Sequence, residues 1–239
     1  MKTVIVCNHG REVPVGTAIV LDGIDAGYGG ERVLKGICAE LPRGRVTALL
    51  GHNGSGKSTL LGVLAGLHAP SAGSVRHDGE RRPALVLQHT AVSVALPLSV
   101  RDAVAMGRWE RLGWWRRTTA RDHAVVRDCL ERVGAADLAR RQFAELSGGQ
   151  RQRVLIAQGL AQESGVLLLD EPAAGLDTAA RERVLAIIDE ITATGTTVVH
   201  ATHDDDAARR AGHCLLLERG RVRAEGRPEE VLAAASLRT

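Results

Sequence analysis

Residues 45–67 read "RVTALLGHNGSGKSTLLGVLAGL". A short apolar run, Val46 to Leu50, leads into a glycine-rich loop, after which Leu60, Leu61, Leu64 and Leu67 recur at helical spacing. The pattern predicts a buried strand, a loop and a helix in direct succession. Within it, "GHNGSGKST" matches G-x-x-x-x-G-K-[ST] in the strand-to-helix setting that this motif requires. Gly51, His52, Asn53, Gly54, Ser55 and Gly56 are placed to turn backbone N–H groups toward phosphate oxygens at a helix start, where aligned peptide dipoles favour an anion. Lys57 can reach the β and γ phosphates, the Ser58 hydroxyl can ligate Mg²⁺, and Thr59 closes the motif. Only Lys2, Lys35 and Lys57 are lysines among 31 Lys and Arg, so a lysine kept at this position stands out. The loop predicts a nucleoside triphosphate site.

Working outward, "TAIVLDGIDAGYGG" and "GICAELPRG" predict antiparallel strands joined by glycine-bearing turns, and "HAPSAGSV" ends the helix. Residues 99–145 read as mostly helical and arginine-rich. The runs "GVLLLD" and "TTVVHATHD" are continuously apolar, as central parallel strands buried on both faces are. The tail "CLLLERGRVRAEGRPEEVLAAA" predicts two strands about Gly220 and a last helix opening at Pro228, with Glu229 and Glu230 in its first turn. Residues 1–16 show no clear period and read as an extension before a domain of residues 17–239. The fold class expected is α/β: a P-loop NTPase core with a mixed sheet, an N-terminal antiparallel β subdomain and an α-helical insert at about residues 92–160.

Asp170 and Glu171 follow the apolar run Val166 to Leu169, where a buried strand emerges at its carboxyl end beside a phosphate loop. Asp170 can support Mg²⁺ directly or through water, and Glu171 can polarise an attacking water as general base. An Asp-Glu pair alone is a solvated strand end; the loop upstream changes that reading. Ser147 with Gln150 three later is a capping-box pattern, and Gly148 and Gly149 leave that helix start bare of side chains. Alone, this is a capped helix. Bare N–H groups also attract phosphate.

With the phosphate loop, "LSGGQ" at 146–150 and "LLLDEP" at 167–172, the chain resembles the ATP-binding cassette ATPases of transport complexes over about Thr17 to Leu232. The resemblance implies that Tyr28 stacks on adenine, that Gln88 in "LVLQHT" senses Mg²⁺ and the γ phosphate, and that His203 in "ATHD" contacts the γ phosphate. It implies a head-to-tail dimer, a homodimer or a paired cassette. There Ser147, Gly148, Gly149, Gln150 and Asp177 of one subunit would face the nucleotide of the other, while Asp170 and Glu171 serve their own. It implies integral membrane permease partners, a solute-binding protein, and a place on the inner, cytoplasmic face of the cell membrane. "LSVRDAVAMGRWERLGWWRR" is similar to the corresponding stretch in importers of manganese, zinc and iron or siderophore. The small apolar residues of "AVSVALPLSVRD", after Gln88, depart from the charged or aromatic ones that many importers carry there. Residues 108–117 gather all three tryptophans with Arg108, Arg111, Arg116 and Arg117, residue types that favour interfaces, and the resemblance places a short helix of the membrane subunit against this insert.

Composition supports these expectations without selecting among them. At 239 residues, 44% apolar and 25% charged, the chain has ample material for a core, and a net charge of +3 demands neither a nucleic-acid nor an anionic-membrane partner. Cys7, Cys38, Cys129 and Cys214 form no C-x-x-C pair and suit a reducing compartment, and the nine histidines show no metal-ligand spacing. "TVIVC" is too short for a secretory signal core, and the uncharged stretch 83–100 holds Gln88, His89, Ser93 and Pro97, which argues against a membrane span. The rival readings are a soluble cassette ATPase acting on nucleic acid or the ribosome, and an exporter subunit.

Overall fold

The computed structural model of the chain describes residues 15–79, 81–87, 98–112 and 118–236. Gln88, residues 1–14 of the extension, residues 92–97 of the insert, and Trp114, Trp115, Arg116 and Arg117 lie outside the described residues. Two long antiparallel strands come first, β1 (Thr17–Tyr28) and β2 (Glu31–Pro42), joined by a turn at Gly29 and Gly30. Then β3 (Val46–Leu50) runs through the phosphate-loop motif into α1 (Lys57–Leu64). β4 (Ala72–His77) returns to pair with β1, giving a three-stranded sheet of order β2-β1-β4.

β5 (Ala84–Val86) precedes a helical layer of α2 (Val100–Ala105), α3 (Trp109–Leu112), α4 (Ala120–Arg132) and α5 (Gly148–Leu160). The chain continues through β6 (Val166–Asp170), α6 (Thr178–Ala193), β7 (Thr197–Thr202) and α7 (Asp205–Arg210). It closes with β8 (His213–Glu218), β9 (Arg221–Gly226) and α8 (Pro228–Ser236). The second sheet has the order β5-β6-β7-β3-β8-β9, in which β9 alone is antiparallel to its neighbour.

Every residue of β3, β6 and β7 is buried, which accounts for their mostly apolar sequence. Leu167 and Leu169 of β6 face a core shared with α5 and α6, while Val166 and Leu168 face a core shared with α1 and the antiparallel sheet. That second core clamps α1: Leu60, Leu61 and Leu64 sit among Ile19, Leu34 and Leu41 on one side and Val199 and Leu215 on the other. Each such leucine contributes roughly 1.5–3 kcal/mol on burial, so the phosphate loop at the start of α1 is anchored in a buried apolar core.

Three expectations are corrected. The helix does not reach Leu67: α1 ends at Leu64, and the N–H groups of Leu67 and His68 both donate to the Gly62 carbonyl at 2.9 and 3.3 Å, leaving Leu67 exposed. β4 was expected only as a helix-ending loop, because its half-exposed edge position leaves no apolar alternation to read. Cys129 and Cys214 are free and buried, whereas Cys38 is disulfide-bonded. Reduced thiols were expected throughout; pairing depends on approach in space, which sequence spacing does not report. No helix among the described residues is long and apolar enough to cross a membrane.

Candidate active site

The sheet order puts the candidate catalytic segments on one edge. β3, β6 and β7 are parallel neighbours in the order β6-β7-β3, so the phosphate loop, the Asp170-Glu171 pair and His203 all emerge at carboxyl ends of adjacent strands.

The loop is shaped by glycine where a side chain cannot fit. Gly56, the N-cap of α1, has φ 107°, and a Cβ there would lie 2.7 Å from Leu34 Cδ2. A Cβ on Gly51 would come within 2.5 Å of Ser55 Oγ. Lys57 is buried, and its ammonium donates to the carbonyls of Gly51 at 2.7 Å and His52 at 3.2 Å, spanning the loop from inside. Ser55 is buried and, among the described residues, its Oγ has no hydrogen-bond partner. A buried hydroxyl without a partner beside a lysine in a side-chain-free cradle fits a polyanion that brings its own acceptors. His52, Asn53, Gly54 and Ser58 are exposed, while Thr59 is turned into the interior.

Asp170 ends β6 with 9% of its surface exposed. Glu171 has φ 46°, in the left-handed region. That conformation costs a non-glycine residue on the order of 1–3 kcal/mol and persists where neighbours over-determine it. Here its N–H donates to Ala201 O of β7 at 3.1 Å, and its carbonyl accepts from Ala174 N at 3.2 Å. The turn aims the carboxylate at the exposed His203, whose Nδ1 lies 3.6 Å from Glu171 Oε2. Beneath them is a cleft of about 210 Å³, lined by Glu171, Leu176, Arg181, His200, His203 and Asp204.

Ser147 forms the expected capping box on α5: its Oγ accepts from Gln150 N at 3.3 Å while Gln150 Oε1 accepts from Ser147 N at 3.1 Å. Ser147 and Gly148 are exposed. Gly149 has a packing reason as well, because a Cβ there would lie 2.7 Å from Ala180 Cβ on α6. Asp177 caps α6, accepting from Ala180 N at 2.9 Å. Neither cap lines the clefts at Glu171 or beside Gly51, apart from the shared loop around Leu176. Tyr28 is half-exposed at the end of β1 and meets His68 edge-on, with centroids 4.9 Å apart and planes at 88°.

Arg108 does not belong to an exposed docking patch. It is 1% exposed, with Nε donating to Asp122 Oδ1 at 3.0 Å and Nη1 to Glu163 Oε2 at 2.7 Å and Ala161 O at 2.6 Å. The burial of its long stem in the helical layer, with two carboxylates at its head, removes it from the interface cluster; Trp109 is 59% exposed. The Thr119 hydroxyl and N–H, with Arg108, hold the Asp122 carboxyl down at about 2.

Sequence reasoning missed His200. It lies inside the run "TTVVHAT", is 2% exposed, and burial pushes its imidazole down to about 4 against a weaker upward pull from Asp204. A histidine within an otherwise apolar strand was the available signal.

A phosphate-binding loop, an acidic pair and a histidine at the carboxyl edge of a parallel sheet define a nucleoside triphosphatase of the P-loop class. The comparisons narrow the class: the family model described as ABC transporter matches residues 34–174. The manganese transport system ATP-binding protein MntA of Synechocystis is 37% identical over 229 residues, 92% of this chain and 88% of that protein. A chain of a metal-chelate type ABC transporter in an inward-facing conformation superposes with a TM-score of 0.83 at 32% identity, over 90% of this chain and 85% of that one. The cassette MJ0796, in a dimer bound to ADP and Pi, superposes with a TM-score of 0.72 at 25% identity, over 88% of this chain and 98% of its own. The chain belongs to the ABC transporter family, as an ATP-binding cassette that hydrolyses ATP.

Proposed function

We propose that this chain energises import of a metal ion or metal chelate, working as one of two cassettes beneath integral membrane permease subunits on the cytoplasmic face of the membrane. The observation that carries the catalytic part is Glu171, held in a left-handed turn at the end of β6 with its carboxylate toward His203. In this reading the backbone of residues 51–56 and Lys57 bind the phosphates, Ser58 and Asp170 hold Mg²⁺, and Tyr28 carries the adenine. Mg²⁺ supplies charge neutralisation on the phosphates. Glu171 takes the proton of the attacking water, and His203 holds the γ phosphate in place.

Ser147, Gly148, Gly149, Gln150 and Asp177 act on the partner cassette's nucleotide, so binding closes the pair and hydrolysis releases it. Gln88 belongs to the same assignment from the resemblance alone. Residues 92–160 form the helical subdomain that receives the permease, residues 1–16 remain an extension, and a solute-binding protein delivers the cargo. The metal reading draws on the relatives named for manganese and metal-chelate transport.

Glu171→Gln should bind MgATP with unchanged affinity yet turn over at least about a hundredfold more slowly, as loss of a general base requires. Near-normal steady-state hydrolysis would overturn the assignment. Reconstitution with permease subunits and a solute-binding protein tests the cargo: ATPase stimulation by manganese, zinc or a ferric chelate supports it, and stimulation only by another solute reassigns it.

A further inference from the structure

Tyr28 is the chain's one tyrosine and stands half-exposed, with its ring meeting His68 edge-on at 4.9 Å and 88°. This lies within the range that aromatic quadrupoles favour. In either sense of the T, His68 leaves at least one face of the tyrosine ring uncovered, and half of the residue's surface is exposed.

Behind His68 is a glycine where helix propensity disfavours one. Gly62 lies inside α1, and glycine is, proline apart, the weakest helix former. A Cβ at that position would sit 2.5 Å from His68 Cδ2 and 3.1 Å from Nε2. The chain after α1 turns back over this point, with Leu67 and His68 both donating to the Gly62 carbonyl. The imidazole therefore rests in a notch that exists because residue 62 has no side chain.

We infer that His68 is a positioning residue for the base of the nucleotide: seated against Gly62, its ring fixes Tyr28 as a preorganised platform for a planar purine. One clamped helix then carries the phosphate-binding lysine at its start and, through His68, the base platform at its end. A side chain already held in place loses less freedom when the base arrives, which strengthens binding without touching the chemical step. This inference rests on the reading that Tyr28 stacks on adenine.

The test uses the full chain, calorimetric titration with MgADP and with inorganic tripolyphosphate, and steady-state kinetics with MgATP. His68→Ala and Gly62→Ala should each raise the MgADP Kd by about threefold to tenfold, the range of an aromatic pair. The KM for MgATP should rise while kcat is unchanged, and tripolyphosphate affinity should not move. His68→Phe should restore MgADP affinity, and Gly62→Ala should melt no lower than the parent, since alanine is the better helix former. A normal MgADP Kd in His68→Ala beside a raised one in Tyr28→Ala overturns the role of His68 and leaves the platform standing. A normal Kd in Tyr28→Ala overturns both. An equal loss of tripolyphosphate affinity in His68→Ala also refutes the inference, because the effect would then act through the phosphate loop.

Discussion

His200 sits inside β7 with its ring toward the cleft under Glu171, and among the described residues its Nδ1 has no hydrogen-bond partner. Burial lowers its pKa from 6.5 to about 4, with Asp204 pulling weakly the other way. Because the folded value lies below the unfolded one, the unfolded chain takes up the proton first. The stability tied to the neutral ring is intact above the unfolded value and falls as the pH drops toward the folded one. The shift corresponds to roughly 3 kcal/mol lost over that window. His200→Leu should lose less stability than the parent between about pH 7.5 and pH 4.5, read from urea midpoints, because leucine removes the proton site. Parallel pH dependence of the two proteins would show that the ring is not the source. At this scale the sequence singled out Lys57, Asp170 and Glu171 as candidates because motif spacing specifies them. It could not reveal that Arg108 is buried or that His68 touches Tyr28, since both depend on contacts between distant segments.

Glu163 occupies the turn between α5 and β6, with φ 53°, and gathers arginines from three directions. Arg108 lies 2.7 Å from its carboxylate, Arg111 3.0 Å, Arg81 3.6 Å and Arg121 3.8 Å. Through Arg108 and Asp122 the helical layer is fastened to the connection between the "LSGGQ" helix and the strand that ends in Asp170. Removing the arginine leaves Asp122, itself 3% exposed, without its cation. Breaking such a buried pair costs about 3–5 kcal/mol, so Arg108→Ala should lower the unfolding free energy obtained from urea titration by that much, and a loss below about 1 kcal/mol would show the network to be dispensable. Elements buried on two faces, β3, β6, β7 and α1, were legible as apolar runs with loop punctuation. β4 was not, because an edge strand facing solvent carries no such run.

At the scale of the whole molecule, the residues proposed to act on nucleotide divide into two groups on different elements of the fold. Gly51, Glu171 and His203 emerge from neighbouring strands of one sheet edge, whereas Ser147 stands exposed at the start of α5, in the helical layer. The motifs themselves were plain in the sequence, and the fold class followed from them together with the strand runs. The proposal that they serve different nucleotides rests on the resemblance alone, because a single chain gives no contact between copies. Ser147→Arg tests this division. The substitution removes a capping hydroxyl, worth about 1 kcal/mol, and adds a long cation where the partner's γ phosphate would lie. Ser147→Ala removes the same cap without the bulk and isolates that loss. Ser147→Arg should keep the MgATP affinity of the isolated chain and melt like Ser147→Ala, while losing the ATP-dependent dimer that Glu171→Gln accumulates on light scattering. Ser147→Ala should retain that dimer. Normal ATP turnover by Ser147→Arg in the assembled transporter would show that this helix does not close on the partner's nucleotide.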